Sequence, residues 1–120
     1  MLARLFAFLT AMMLALPGLA AELVMVEQEG CVYCEQWDEE IMPIYPKTAE
    51  SKVAPLRKMD LFDTFPEEIT FARAINFTPT FVLVEDGVEI ARIEGYPGED
   101  FFWGLLGMML EKYTDFGGDS

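Results

Sequence analysis

The spacing of the hydrophobic residues changes along the chain, and each change marks a predicted element. A short apolar run at 23–26 lies between acidic residues, as in a strand that is covered on both faces of its sheet. After Gly30 the apolar residues recur every three or four positions, which predicts a helix. These residues are Cys34, Trp37, Ile41 and Tyr45. Pro43 and Pro46 bend and end this helix, and the polar segment 47–52 is interpreted as a loop.

The middle of the chain predicts a second strand and a second helix. The strand lies around 56–61. Pro66 suits the first turn of the helix that follows, with Thr64 as its cap. The apolar face of this helix is formed by Phe71, Ala74 and Ile75.

The last part of the chain predicts a hairpin and a closing helix. Two runs of β-forming residues within 80–95 flank Asp86-Gly87, a dipeptide that is typical of tight hairpin turns. A final helix is predicted at 100–113 with Asp100 as its N-cap, and we expect Gly104 and Gly107 to let it pack closely on the sheet. The predicted order is therefore β-α-β-α-β-β-α, an α/β fold of three layers in which helices flank a central mixed sheet.

The first twenty residues do not fit this domain. Arg4 precedes an apolar run at 5–16, a Pro17-Gly18 break follows, and Gly18 and Ala20 suit a signal-peptidase site. The alternative is an uncleaved anchor, but the run is shorter than the roughly 20 apolar residues that a membrane span needs. We therefore predict a cleavable signal peptide at 1–20, export of the protein, and one folded domain at 21–120.

Composition narrows the function classes. The chain is 52% apolar, which indicates a globular domain, and it carries a net charge of -13. So acidic a chain is a poor ligand for nucleic acid or anionic lipid, which attract basic patches. The charge is interpreted mainly as a solubility feature, with a partner that has a basic rim as a weaker alternative. The absence of histidine removes many catalytic and metal-binding arrangements.

Both cysteines lie in one motif, Cys31-Val32-Tyr33-Cys34. A tetrahedral zinc site needs four ligands, and this chain supplies two cysteines and no histidine. Covalent haem attachment needs histidine after the second cysteine, where Glu35 stands. A structural bridge would close a very short loop and add little stability. A redox pair is favoured, because a motif at the start of a predicted helix has its first thiolate stabilised by the helix N-terminus.

This interpretation assigns a role to each cysteine. We expect Cys31 to attack and Cys34, one turn further on and shielded, to resolve the mixed disulfide, with Cα atoms roughly 5 Å apart. Tyr33 lies inside the motif and is expected to be exposed and to face the substrate. The pair needs no cofactor and no metal.

A second motif, "NFTPTF" at 76–81, places Thr78-Pro79 just before the predicted hairpin. A proline there cannot donate to a central ladder, and a cis bond in a tight turn would explain its presence. The alternative is an ordinary proline at the start of a strand.

Together these motifs resemble the thioredoxin superfamily over the whole of the domain. The segments "GCVYCEQWDEEIMPIYPKT", "FTPTFVLVEDG" and "IEGYPGEDFFWGLLG" resemble, more narrowly, the SoxS-type periplasmic thioredoxins of bacterial sulfur-oxidation systems. The resemblance implies a thioredoxin-like fold in which Pro79 and Thr78 face the cysteine motif. The backbone of Thr78 would then pair with an extended substrate segment.

The resemblance also implies a function and two partner proteins. The protein would act in the periplasm as a reductant that keeps a sulfur carrier, the SoxYZ complex, in its active reduced state. Its electrons would come from a membrane thiol transporter of the SoxV/CcdA type.

The sequence departs from ordinary thioredoxins at the site itself. Gly30 replaces a tryptophan, and Val32-Tyr33 replaces Gly-Pro and resembles the tyrosine-bearing motif of glutaredoxins. Met25 stands where thioredoxins carry a buried acid, so proton transfer at Cys34 needs another route, for which Glu27, Glu29 and solvent are open candidates. A dedicated partner is therefore favoured over a general disulfide reductase.

Three alternatives stay open. The protein could be a periplasmic disulfide oxidase or isomerase, or it could serve cytochrome maturation. It could depend on glutathione, as the Cys-Val-Tyr-Cys motif suggests. It could also be a non-catalytic thioredoxin-fold binding module with an inert bridge.

Overall fold

A computed structural model describes residues 21–117 of the chain. The predicted signal peptide at 1–20 lies outside the described residues. The elements in chain order are β1 Ala21–Glu27, α1 Val32–Glu40, a 3₁₀ turn Tyr45–Lys47, α2 Ala49–Val53, β2 Leu56–Asp60, β3 Thr80–Glu85, β4 Val88–Glu94 and α3 Glu99–Tyr113. No helix within 21–117 is long and apolar enough to cross a membrane.

The four strands form one mixed sheet in the order β2-β1-β3-β4. β1 runs parallel to β2 and antiparallel to β3, and β3 pairs antiparallel with β4. Val26 near the end of β1 lies opposite Thr80 at the start of β3. The segment that leaves β1 and the segment that enters β3 therefore meet at one edge of the sheet.

Alternate residues of the central strands supply two hydrophobic clusters. Leu23 and Met25 of β1 join a large cluster with residues of α1 and α3 on one face of the sheet. Val24 and Val26 point to the other face and pack in a smaller cluster. Burial on both faces of the sheet confirms the covered strand that the apolar run at 23–26 predicts.

The predicted helix at 66–75 is wrong. This stretch is irregular, yet it covers the second face of the sheet with the side chains of Phe65, Ile69, Phe71 and Ile75. Its backbone is bonded to the hairpin: the Thr70 N–H donates to the carbonyl of Gly87 at 2.7 Å, and the Glu89 N–H donates to the carbonyl of Thr70 at 3.0 Å. A helix would need these groups for its own i to i−4 bonds, so pairing with the hairpin excludes it.

Three smaller predictions are also wrong. The segment 47–52 contains most of helix α2, whose first turn is capped by the Thr48 hydroxyl, which accepts from the Ser51 N–H at 3.1 Å. Gly98, not Asp100, is the N-cap of α3. A Cβ atom added at Gly104 or Gly107 would meet nothing within 4 Å, so neither glycine mediates close packing on the sheet.

Candidate active site

The cysteine motif lies where β1 passes into α1. Gly30 has φ +79°, a left-handed conformation that favours glycine, and it turns the chain between the two elements. Cys31 is the N-cap of α1, and its N–H donates to the carbonyl of Gln28 at 3.3 Å. The sequence therefore places the motif at the helix N-terminus, as predicted.

Cys31 and Cys34 form a disulfide with their Cα atoms 5.2 Å apart, close to the separation expected from one helical turn. The Cys34 N–H donates to Cys31 Sγ at 3.1 Å. Cys34 is 2% exposed, whereas Cys31 is partly exposed. A reagent from solution can thus approach Cys31 while the protein covers Cys34.

The segment before β3 forms a loop around a cis peptide bond between Thr78 and Pro79, which confirms the predicted cis bond. Pro79 is buried, and its carbonyl accepts from the Gly95 N–H at 2.8 Å. The Thr80 hydroxyl donates to the carbonyl of Phe77 at 2.6 Å. These bonds hold the loop to the first residues of β3 and the end of β4.

One side-chain hydrogen bond joins this loop to the cysteine segment. Gln28 Nε2 donates to Thr78 Oγ1 at 2.8 Å across 50 residues of sequence. No local pattern in the sequence indicated this contact, because neither Gln28 nor Thr78 belongs to a motif that predicts a partner 50 residues away.

Exposed apolar side chains lie beside Cys31 and beside Thr78 in the chain. Tyr33 is 58% exposed, as predicted, and Val32 is 69% exposed beside it. Phe77, adjacent to Thr78, is 56% exposed. Val32 and Phe77 were not among the site residues that the motifs predicted. The position of Phe77 directly before Thr78-Pro79 was the available signal.

A cleft of about 360 Å³ has Cys34 among the residues that line it. The acidic side chains that line it belong to Glu27, Glu29, Glu35, Asp38 and Asp60. Both residues that the sequence offered as proton carriers, Glu27 and Glu29, are among them. Met25 is fully buried in the same core cluster as Cys34, so the core beside Cys34 holds a thioether at this position instead of an acid.

Lys58 supplies a cation to this acidic cleft. Its Nζ lies 2.8 Å from Asp38 Oδ1 and 3.4 Å from Glu27 Oε1. Burial by itself would lower the pKa of Lys58, but the hydrogen bond to Asp38 and the charge of Glu27 outweigh it and raise the pKa above its ordinary value. Lys58 is therefore charged at neutral pH and holds the two carboxylates together. In residues 21–117 no group of three or more potential metal ligands is placed to hold an ion.

The chain matches the family described as "Thioredoxin-like domain" over residues 20–109. No curated protein matches it. Among solved structures, the periplasmic thioredoxin SoxS from Paracoccus pantotrophus, in its reduced form, is 48% identical with a TM-score of 0.75. The match covers 77% of this chain and 97% of that chain.

More distant structures share the fold alone. A thioredoxin-fold protein from Helicobacter pylori is 17% identical with a TM-score of 0.58, over 75% of this chain and 68% of that one. Fasciola hepatica thioredoxin is 21% identical with a TM-score of 0.53, over 72% of this chain and 78% of that one. These similarities confirm the fold class that the order of elements predicts.

Proposed function

This chain belongs to the thioredoxin-like family, within it to the SoxS-type thioredoxins, and is a thiol–disulfide oxidoreductase; we propose that it is a periplasmic reductant for a sulfur-carrier protein. The observation that carries the proposal is the partly exposed Cys31, disulfide-bonded to a buried Cys34 at a helix N-terminus. The similar Paracoccus protein is a periplasmic thioredoxin, which supports the same compartment and export through the predicted signal peptide at 1–20.

The proposed reaction starts from the reduced dithiol. The Cys31 thiolate, favoured by the N-terminus of α1, attacks one sulfur of the substrate disulfide and expels the other sulfur as a thiol. The Cys34 thiolate then attacks Cys31 Sγ and releases the second substrate thiol. Two electrons pass from the dithiol to the substrate, and the protein is left with the Cys31–Cys34 disulfide.

The proposed substrate site lies between the motif and the cis-proline loop. An extended segment of the partner would pair with the backbone of Thr78, held in place by Pro79. Tyr33, Val32 and Phe77 supply exposed apolar surface on both sides of this position, and they would contact the side chains that flank the partner's cysteine.

The proposed partner is a SoxYZ-like sulfur carrier whose exposed cysteine has become trapped in an inactive disulfide. A membrane thiol transporter of the SoxV/CcdA type would return the pair to the reduced state by the reverse exchange. Both partners rest on the similarity to a SoxS protein and on the accessible cysteine.

A trapping experiment tests the proposal. Cys34→Ser removes the resolving thiol, so the reduced variant should form a stable covalent adduct with the disulfide-linked carrier through Cys31, and dithiothreitol should release it. Cys31→Ser is the matched control and should form no adduct. A binding module with an inert bridge would form no adduct with either variant.

The direction of electron flow needs a separate measurement. Equilibration of the wild-type pair with a dithiol buffer should give a potential near the value of thioredoxin, about -270 mV. A value near about -120 mV, typical of a strong oxidant, would reverse the proposed direction and favour a disulfide oxidase.

A further inference from the structure

Gln28 contacts both halves of the proposed substrate site. Its backbone carbonyl accepts from the Cys31 N–H at 3.3 Å, so the residue supports the turn that presents the attacking cysteine. Its side-chain amide donates to Thr78 Oγ1 at 2.8 Å, so it also reaches the residue beside the cis proline. A displacement of Gln28 would therefore change the position of one half of the site relative to the other.

Two other hydrogen bonds of the cis-proline loop are made with residues of the sheet region and not with the cysteine segment. Pro79 is bonded to Gly95 at the end of β4, and Phe77 is bonded to Thr80 at the start of β3. These contacts fix the loop to the start of β3 and to the residue that follows β4. The Gln28–Thr78 bond instead crosses the site from the cysteine side.

We propose that Gln28 is a positioning residue, whose bond to Thr78 sets the distance between the Cys31 sulfur and the backbone edge that receives the substrate. The inference rests on the proposed function, because it assumes that an extended substrate pairs with Thr78. Attack on a disulfide requires the sulfur to lie in line with the scissile bond, and this alignment depends on where the loop holds the peptide. A small disulfide that does not pair with the loop gains nothing from the link.

The experiment compares two oxidants of the fully reduced protein. One is an extended peptide whose single cysteine is joined to 2-mercaptoethanol by a disulfide, and the other is bis(2-hydroxyethyl) disulfide. Each reaction gives the Cys31–Cys34 disulfide and two thiols. With the peptide, Gln28→Ala and Thr78→Val should each lower the second-order rate constant about five-fold, the equivalent of one net hydrogen bond. With the small disulfide, Gln28→Ala should react at the wild-type rate.

Three controls make the result specific. The double variant should lose no more than either single variant, because both remove the same bond. Thr78→Ser keeps the hydroxyl and should retain the wild-type rate. Gln36→Ala removes a side-chain amide of the same type, whose hydrogen bonds to the Glu40 carboxylate within α1 are 3.3 and 3.5 Å long, and should leave both rate constants unchanged.

The outcomes separate the two proposals. A wild-type protein that does not reduce the peptide disulfide contradicts the proposed function itself. An active wild type whose peptide rate is unaffected by Gln28→Ala contradicts only the role of Gln28. Equal losses with the peptide and the small disulfide would mean that the bond acts on the thiolate itself, which also overturns positioning.

Discussion

Arg92 and Glu89 form a buried ion pair on β4 that fastens the irregular segment before the cis-proline loop to the hairpin. Arg92 Nε lies 2.7 Å from Glu89 Oε2 and Arg92 Nη2 lies 2.8 Å from Glu89 Oε1, and the two side chains are 4% and 3% exposed. The Arg92 guanidinium also donates to the carbonyls of Arg73 and Ala74 at 3.0 and 3.1 Å. The Ala72 N–H donates to Glu89 Oε1 at 2.8 Å.

This pair replaces the bonds that a helix would have made at 66–75. Donors and acceptors of residues 70–74 are paired with the hairpin, so the segment can lie flat over the second face of the sheet. The same segment leads directly into Thr78 and Pro79. The ion pair therefore helps to place one half of the active site.

The first prediction concerns the stability that this pair provides. Glu89→Gln keeps the side-chain volume but removes the charge that faces Arg92 inside the protein. We expect a loss of about 3 kcal/mol in the free energy of unfolding, because the buried charge of Arg92 then faces one carboxylate instead of two, that of Glu94 at 3.4 Å. Chemical denaturation at pH 7 measures the loss.

Glu94→Gln is the matched control for this substitution. Glu94 also pairs with Arg92, but its side chain is 35% exposed, so its contribution is screened by solvent. We expect a loss below about 1 kcal/mol. Equal losses for the two variants would contradict a special role for the buried pair.

The second prediction concerns acid. Burial would raise the pKa of Glu89, but hydrogen bonds from Arg92 and the Ala72 N–H outweigh it and hold the pKa below its ordinary value of 4.5. A lowered folded-state pKa contributes stability above the unfolded pKa, and this contribution is lost as the pH falls through the folded pKa. The difference in unfolding free energy between wild type and Glu89→Gln should therefore be constant above about pH 4.5 and shrink below it. A difference that is independent of pH down to acid unfolding would contradict the assignment.

The third prediction concerns two glycines that differ in their surroundings. Gly87 has φ +83° in the hairpin turn, and an added Cβ would lie 2.5 Å from the Glu68 carbonyl oxygen. Gly87→Ala should destabilise the fold by at least about 2 kcal/mol, from backbone strain and this close contact. Gly104→Ala in α3 meets nothing within 4 Å and should stabilise it by about 0.5 to 1 kcal/mol. Thermal unfolding of both variants measures the effects, and a loss of stability at Gly104 would show that the helix does use that glycine for packing.

The fourth prediction concerns Lys58 and the thiols. Lys58→Met leaves Glu27 and Asp38 uncompensated at the cleft that reaches Cys34, and like charge disfavours a thiolate. In the reduced protein, the pH midpoint of thiolate absorbance should rise by about half a unit. Lys52→Met on α2 makes the same change in net charge on an exposed part of the surface and should leave the midpoint unchanged. Equal shifts of the midpoint in the two variants would show that the thiolate responds to the net charge of the protein and not to Lys58 in particular.

Local sequence signals identified much of the fold and the chemical groups of the site. Asp86-Gly87 predicted the hairpin correctly. The two residues have φ values of +52° and +83°, which aspartate and glycine adopt more readily than other residues do in a tight turn. The cysteine motif at the start of α1 and Thr78-Pro79 before β3 could also be recognised from the sequence. Each signal depends on residues a few positions apart, so it exists before the chain folds.

The contacts that assemble the site depend on the tertiary structure. Gln28 meets Thr78 across 50 residues, and Lys58 meets Asp38 across 20, and no local pattern encodes either pairing. The segment 66–75 shows most clearly where local prediction fails. Its sequence favours a helix, but its backbone forms hydrogen bonds with the hairpin that follows it in the chain. The sequence by itself determined the hairpin, the succession of the strands along the chain and the redox motif. Only the folded chain decided which distant donors and acceptors were brought close enough to satisfy each other, and thereby how the cis-proline loop is held against the cysteines.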